Sequence, residues 1–145
     1  MPNISPFLWF DGQAEEAARF YVSVFPNSQI LSVSPMTVAF ELDGKPFTAL
    51  NGGPMFTFSE AVSFVVDCAD QAEVDHYWDA LSAGGKPGRC GWLKDRYGLS
   101  WQVVPRALGR LLGQADRAAA GRALAAMMQM NKLEVAALQA ASDAA

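Results

Sequence analysis

The sequence predicts an α+β fold made of two βαβββ modules followed by a helical tail. Three observations carry this: a strand, helix and three strands read in order up to about residue 58, a restart of that order at Val62, and a change of composition to Ala, Leu, Met and Gln after Pro105. With 145 residues, 51% hydrophobic and 18% charged, the chain is the size of one compact domain and has enough apolar material for a continuous core. The expected organisation is a domain over residues 1–105, with modules of about 1–58 and 59–105, and a helical tail over 106–145 that packs on the domain or on a partner subunit.

The first strand is expected over residues 5–11, SPFLWFD, an aromatic-rich run that reads as buried and stops at Asp11-Gly12, a turn or helix cap. A helix follows because Ala14, Ala17, Ala18, Tyr21 and Phe25 recur at the spacing of one helical face, with Glu15, Glu16 and Arg19 elsewhere. Pro26-Asn27 ends it. Strands are expected over residues 29–34, 37–42 and 46–51, and Asp43-Gly44 between the last two is a strong hairpin signal.

At a constant offset, Phe64-Val65-Val66 falls on Phe7-Leu8-Trp9, Glu73 on Glu16, and Tyr77-Trp78 on Phe20-Tyr21. The second helix places Val74, Tyr77, Trp78 and Leu81 on one face, and Asp70 with Glu73 resembles an N-capping pair. Gly84-Gly85 ends it. Strands are then expected near Lys86, over residues 91–95 and over 99–104. Each module exposes an apolar sheet face that it cannot bury alone, so the modules are expected to pack together or with those of a second chain. In the tail, Leu124, Met128, Val135 and Leu138 predict a narrow apolar stripe suited to docking, and Met127, Met128 and Met130 read as adaptable packing.

The net charge of −4 and the pI near 4.8 argue against nucleic acid as a partner, because phosphate binding needs a basic face. No apolar run approaches the roughly 18 residues that span a bilayer, and MPNISPFLWF lacks the basic and apolar regions of a signal peptide. A cytoplasmic protein without a membrane partner is the expectation. Cys68 and Cys90 belong to no CxxC or Cys/His ligand spacing and read as reduced thiols. His76, off the apolar face of its helix, reads as exposed rather than catalytic.

Paired βαβββ modules, the aromatic pair Phe20-Tyr21 and the Asp95-x-x-Gly98 turn resemble the vicinal oxygen chelate (glyoxalase/bleomycin-resistance) superfamily. Within it, PFLWFDGQAEEAARFYVSVFPNS, FELDGKPFTALNGGPMFTFSEAVSF, CGWLKDRYGLSWQVVP and AAMMQMNKLEVAALQAA are similar to the PhnB-like proteins often labelled 3-demethylubiquinone-9 3-methyltransferase. The label is set aside. A methyltransferase using S-adenosylmethionine usually shows a glycine-rich loop after a first strand in a parallel sheet, and Gly52-Gly53-Pro54 lies in a different setting. The resemblance implies a curled mixed sheet around a cleft, commonly in a homodimer. In metal-dependent members, His or Glu from four strands holds a divalent cation in that cleft. Those positions fall near Pro6, near Ala61 or Ser63, within residues 48–51 and on Gln102. None is His, Asp, Glu or Cys, so no metal and no cofactor is expected.

The expected ligand is a small, largely apolar or aromatic organic molecule. Its predicted contacts are Asn51, Met55, Phe56, Ser63, Trp92, Ser100 and Gln102, an apolar lining with sparse polar groups. Residues after Asn51 read as an apolar flap over the cleft mouth. Trp101 is expected in the core, facing away from Gln102, and Trp92 either there or in the cleft wall. Cys90 is a candidate nucleophile because Arg89, Lys94 and Arg96 stand near it, with a structural thiol as the alternative. An active enzyme on a quinone-like or aromatic substrate, through Cys90 or through a metal completed by the partner subunit, and a resistance-type sequestering protein are the other readings.

Overall fold

The computed structural model describes residues 2–144. The elements run β1 (Phe7–Phe10), α1 (Ala14–Val24), β2 (Gln29–Val33), β3 (Thr37–Leu42), β4 (Lys45–Asn51), β5 (Ser63–Cys68), α2 (Gln71–Ser82), β6 (Lys86–Pro87), β7 (Trp92–Lys94), β8 (Ser100–Pro105), α3 (Arg106–Leu112), α4 (Arg117–Met127) and α5 (Val135–Asp143). The strands form two open, four-stranded mixed sheets ordered β1-β4-β3-β2 and β5-β8-β7-β6, so the α+β class and the paired modules stand as expected. Two compact units divide at Phe58 and Ser59.

In the first unit, β1 lies parallel to β4 and the β3–β4 hairpin turns on Asp43 and Gly44, both left-handed at φ 51° and 72°. Ala14, Ala17, Ala18 and Tyr21 of α1 are buried with Val38, Phe40, Leu42, Phe47 and Ala49 of the sheet. Tyr21 stacks on Phe40 and Phe40 on Phe47, at ring separations of 6.4 and 5.4 Å. Each large side chain buried this way contributes about 1.5–3 kcal/mol. β1 is half-buried rather than buried: Leu8 and Phe10 point into this core, whereas Phe7 is 60% exposed and Trp9 lies on the uncovered face. Only one face of the sheet has a helix over it, so alternation leaves every second residue outside.

In the second unit, Asp70 accepts from the Glu73 amide at 3.0 Å, while the Glu73 carboxylate accepts from the Ala69 amide at 2.6 Å. This reciprocal cap starts α2 as the sequence predicts. Val74, Trp78 and Leu81 of α2 are buried, as are Leu93, Trp101 and Val103 of β7 and β8. The helical tail belongs to this unit, burying Leu108, Leu111, Ala123, Leu133 and Leu138 together. Amides of Cys90 and Gly91 donate to the carbonyls of Met130 and Asn131, both at 2.8 Å, and Gln71 bonds to Leu133 and Val135.

Two expectations need correction. The constant offset holds for the helices, where Ala17 and Val74, and Tyr21 and Trp78, are buried in pairs. In the strands it slips: Leu8 is buried, but its partner Val65 is 59% exposed, and Phe10 corresponds in burial to Cys68. A slip of one residue in a strand reverses every facing. The tail stripe also dissolves, because α4 ends at Met127 and α5 begins at Val135, leaving Leu124 and Met128 exposed while Leu138 is buried.

Candidate functional site

The strand pairings place two rows of side chains across the uncovered face of the second sheet. Ser63 pairs with Ser100, Ser100 with Lys94, and Lys94 with Lys86, which gives a polar, cationic row. Val65 pairs with Gln102 and Gln102 with Trp92, which gives a second row two residues along, ~7 Å from the first. Beside these rows lies an open groove of about 500 Å³ lined by Lys86, Arg89, Trp92, Lys94, Glu60 and Ser100 among others.

Hydrogen bonding is unevenly distributed across the face. Gln102 Nε2 donates to Ser63 Oγ at 3.0 Å, a neutral bond linking the two rows. Lys94 forms an ion pair with Glu60, whose carboxyl is held below the usual carboxylate range by the Lys94 hydrogen bond. Glu60 precedes β5 and Lys94 is on β7, so the pair reaches across β8 at Ser100. Ser100 is 1% exposed, and its Oγ has no hydrogen-bond partner among the described residues.

The face depends on the turn beneath it. The Asp95 carboxylate accepts from the amides of Tyr97 and Leu99 at 2.8 and 3.1 Å and from Trp101 Nε1 at 2.8 Å. The Gly98 amide closes the turn on the Asp95 carbonyl, with Gly98 at φ 85°. Trp101 is therefore fixed in the core, as expected, and Gln102 is turned to the opposite side.

The first unit uses its predicted site residues differently. Asn51 Oδ1 accepts from the Ala14 amide at 2.8 Å and Asn51 Nδ2 donates to the Pro35 carbonyl at 3.1 Å, so the amide caps α1 from another strand. Gln13, the residue at the cap position, makes no side-chain cap bond, and Asp11-Gly12 serves as the preceding turn. The segment after β4 is anchored: Trp9 Nε1 donates to the Gly53 carbonyl at 2.9 Å, Phe56 meets Trp9 edge-on at 5.0 Å, and Phe58 meets Phe10 at 5.4 Å. Phe56 remains 59% exposed and Met55 77%. Cys90 Sγ lies 3.8 Å from Met128 Sδ, and Arg89 donates to the Met128 carbonyl at 3.4 Å. Burial and the negative charges of Glu73, Asp67 and Asp70 push the Cys68 thiol up to about 11. His76 is exposed and meets the Tyr77 ring edge-on.

A family model described as 3-demethylubiquinone-9 3-methyltransferase matches residues 2–104. The chain belongs to that family. Among solved structures, a PhnB protein from Bacillus cereus is 33% identical over 72% of this chain and 99% of that one, with a TM-score of 0.67. The fosfomycin resistance protein FosX from Listeria monocytogenes, solved with Mn(II) and sulfate, is 14% identical over 72% and 90%, with a TM-score of 0.55. A glyoxalase-related enzyme from Fulvimarina pelagi is 15% identical over 74% and 90%, also at 0.55. The fold is thus that of the glyoxalase/bleomycin-resistance, or vicinal oxygen chelate, superfamily. A comparison with curated proteins gives no match.

A metal of the kind held by that FosX does not fit this family member's residues. The Gln102 amide and Ser63 hydroxyl are bonded to each other, Pro6 has no ligating side-chain atom and its carbonyl accepts from the Thr48 amide, and Asn51 is committed to α1. Among the described residues no three His, Cys, Asp or Glu side chains are placed to hold a metal ion together, and neutral amides and hydroxyls are weak transition-metal ligands. Among the described residues no helix is long and apolar enough to cross a membrane.

Of the predicted contacts, the second sheet brings together Ser63, Trp92, Ser100 and Gln102, while Asn51, Met55 and Phe56 belong to the first unit. Sequence reasoning missed Glu60, Lys86 and the part played by Lys94. Four of the 11 basic residues sit within residues 86–96 of an acidic chain, which is a usable signal, but the common face of Lys86 and Lys94 emerges only from the register of β6, β7 and β8.

Proposed function

We propose that this family member binds a small, largely apolar or aromatic organic molecule on the uncovered face of the second sheet, without a protein-bound metal. The supporting observation is the row Val65, Gln102 and Trp92 beside a groove of about 500 Å³, within the range of small-molecule sites. Trp92 supplies a flat apolar surface, and Gln102 and Ser63 supply a neutral donor and acceptor that orient a polar substituent. Capture of the ligand is the function in this reading. Methyl transfer, named in the family description, finds no support in the β1–α1 connection, Asp11-Gly12-Gln13, which is not a glycine-rich cofactor loop. We also propose a homodimer, since Phe7 and Val65 present apolar surface on the uncovered sheet faces, and a cytoplasmic location, which suits the free thiols Cys68 and Cys90.

The test is two-dimensional NMR of the labelled full chain titrated with naphthalene-type and quinone-type compounds. Shifts concentrated at the Trp92 indole and the Gln102 amide, lost in Trp92→Ala with the remaining spectrum intact, are expected. No saturable shifts on this face with any compound would overturn the reading. One tightly held divalent ion per purified chain would overturn its metal-free part, and a monomer in sedimentation would remove the dimer.

A further inference from the structure

The cationic row has a feature that the apolar-ligand reading leaves unused. Lys86, Arg89 and Lys94 line the groove with Glu60 as its one acid, three cations against one anion in a chain whose net charge is −4. Lys86 has no ion-pair partner among the described residues, whereas Lys94 holds the Glu60 carboxylate. Ser100 Oγ lies in the row between Ser63 and Lys94, buried and without an acceptor. Buried hydroxyls are normally satisfied, and an orphan costs about 1–3 kcal/mol. An unused O–H donor with two cations in line beside it, Lys94 on the neighbouring strand and Lys86 on the next, is an arrangement that recognises an oxyanion.

We infer that the groove is an anion subsite for an organic carboxylate, in which the Glu60 carboxylate stands where the ligand's carboxylate binds. This rests on the reading above and names the class of ligand. The ligand displaces Glu60 from Lys94, shares its charge between Lys94 and Lys86, and accepts a hydrogen bond from Ser100 Oγ. Its apolar body then reaches the Trp92 row, ~7 Å away, the separation between alternate residues of a strand. A benzoate-sized molecule spans that distance. Glu60 holds Lys94 in the free protein, which makes binding an exchange of one carboxylate for another.

The experiment titrates benzoate and its neutral counterpart benzamide into the full chain by NMR, with Glu60→Gln and Ser100→Ala variants. Benzoate is expected to shift the Trp92 indole and the Ser100 amide and to bind more tightly than benzamide. Glu60→Gln should tighten benzoate by about two- to fivefold, the range of an exposed ion pair. Ser100→Ala should weaken benzoate by about tenfold while leaving thermal stability unchanged or raised, since it deletes an unsatisfied hydroxyl. Ser100→Ala that instead destabilises the fold and spares benzoate binding would make the hydroxyl structural and overturn the inference. Equal binding of the two probes, or benzoate affinity unmoved by Glu60→Gln, would overturn the anion subsite and leave the apolar-ligand reading in place. Failure of both probes, with a naphthalene- or quinone-type compound still bound at Trp92, would do the same.

Discussion

Asp95→Ala removes a carboxylate that the Tyr97 and Leu99 amides and the Trp101 indole share, and the cost can be worked donor by donor. Trp101 Nε1–H loses its 2.8 Å acceptor inside a core where the ring is buried, an orphaned donor that costs about 1–3 kcal/mol. Leu99 N–H is buried as well, while Tyr97 N–H is half-buried and recovers water, so these add about 1–2 kcal/mol together. A total of about 2–5 kcal/mol is a large part of the roughly 5–15 kcal/mol that holds a domain folded. Urea unfolding followed by far-UV circular dichroism should show the midpoint falling by about 2 M, for a slope of roughly 2 kcal/mol/M. The double variant Asp95→Ala/Trp101→Phe removes the stranded indole N–H, so the two substitutions should couple by about 1–2 kcal/mol rather than add. A loss below about 1 kcal/mol for Asp95→Ala, or strict additivity with Trp101→Phe, would refute the account of this turn.

Gly52→Ala would place a Cβ 2.4 Å from Trp9 Cε2, so it should lower stability by about 1–3 kcal/mol in thermal denaturation, and the loss should vanish in a Trp9→Ala background. Asn51→Ala should cost about 1–2 kcal/mol in urea unfolding by uncapping Ala14, and Asn51→Asp, which keeps the acceptor at the helix N-terminus, should recover most of it. Cys68 has a folded pKa raised from 9.0 to about 11, so its contribution is complete below pH 9 and is lost as pH rises through 11. Stability should therefore fall by about 1.4 kcal/mol per pH unit more steeply in the native chain than in Cys68→Ala between those limits, and parallel curves would count against a buried neutral thiol.

What sequence reading recovered was local. The Asp43-Gly44 hairpin, the Asp70 and Glu73 cap and the faces of both helices depend on residues within one turn of each other, and each was readable from spacing. What it missed depended on distant pairing. Asn51 looks like a polar group at a strand end, and only the fold brings Ala14 to it across 37 positions. The strand repeat slipped by one because a period of two tolerates no error, whereas the same error on a helix turns a side chain by only about 100°. The cationic row required the register of β5, β8, β7 and β6 together, in which Lys86 and Ser63 lie at opposite ends. The tail stripe failed because spacing was counted through the non-helical segment between α4 and α5.

The same register explains why an amide stands at position 102. Gln102 lies in the row next to Lys94 and Ser100, so a carboxylate there would sit ~7 Å from the carboxylate of the proposed ligand. Two like charges at that distance repel by roughly 0.6 kcal/mol in water and about 2.4 kcal/mol at an effective dielectric near 20. Gln102→Glu should therefore weaken benzoate by about three- to fiftyfold while leaving benzamide nearly unchanged. Folding should survive, because a carboxylate at 102 can accept from the Ser63 hydroxyl in place of the present amide bond. Titration of both probes against the folded variant decides the matter: benzoate binding undiminished in Gln102→Glu would mean that the anion does not lie beside this row, and the neutrality of the amide would need a different cause.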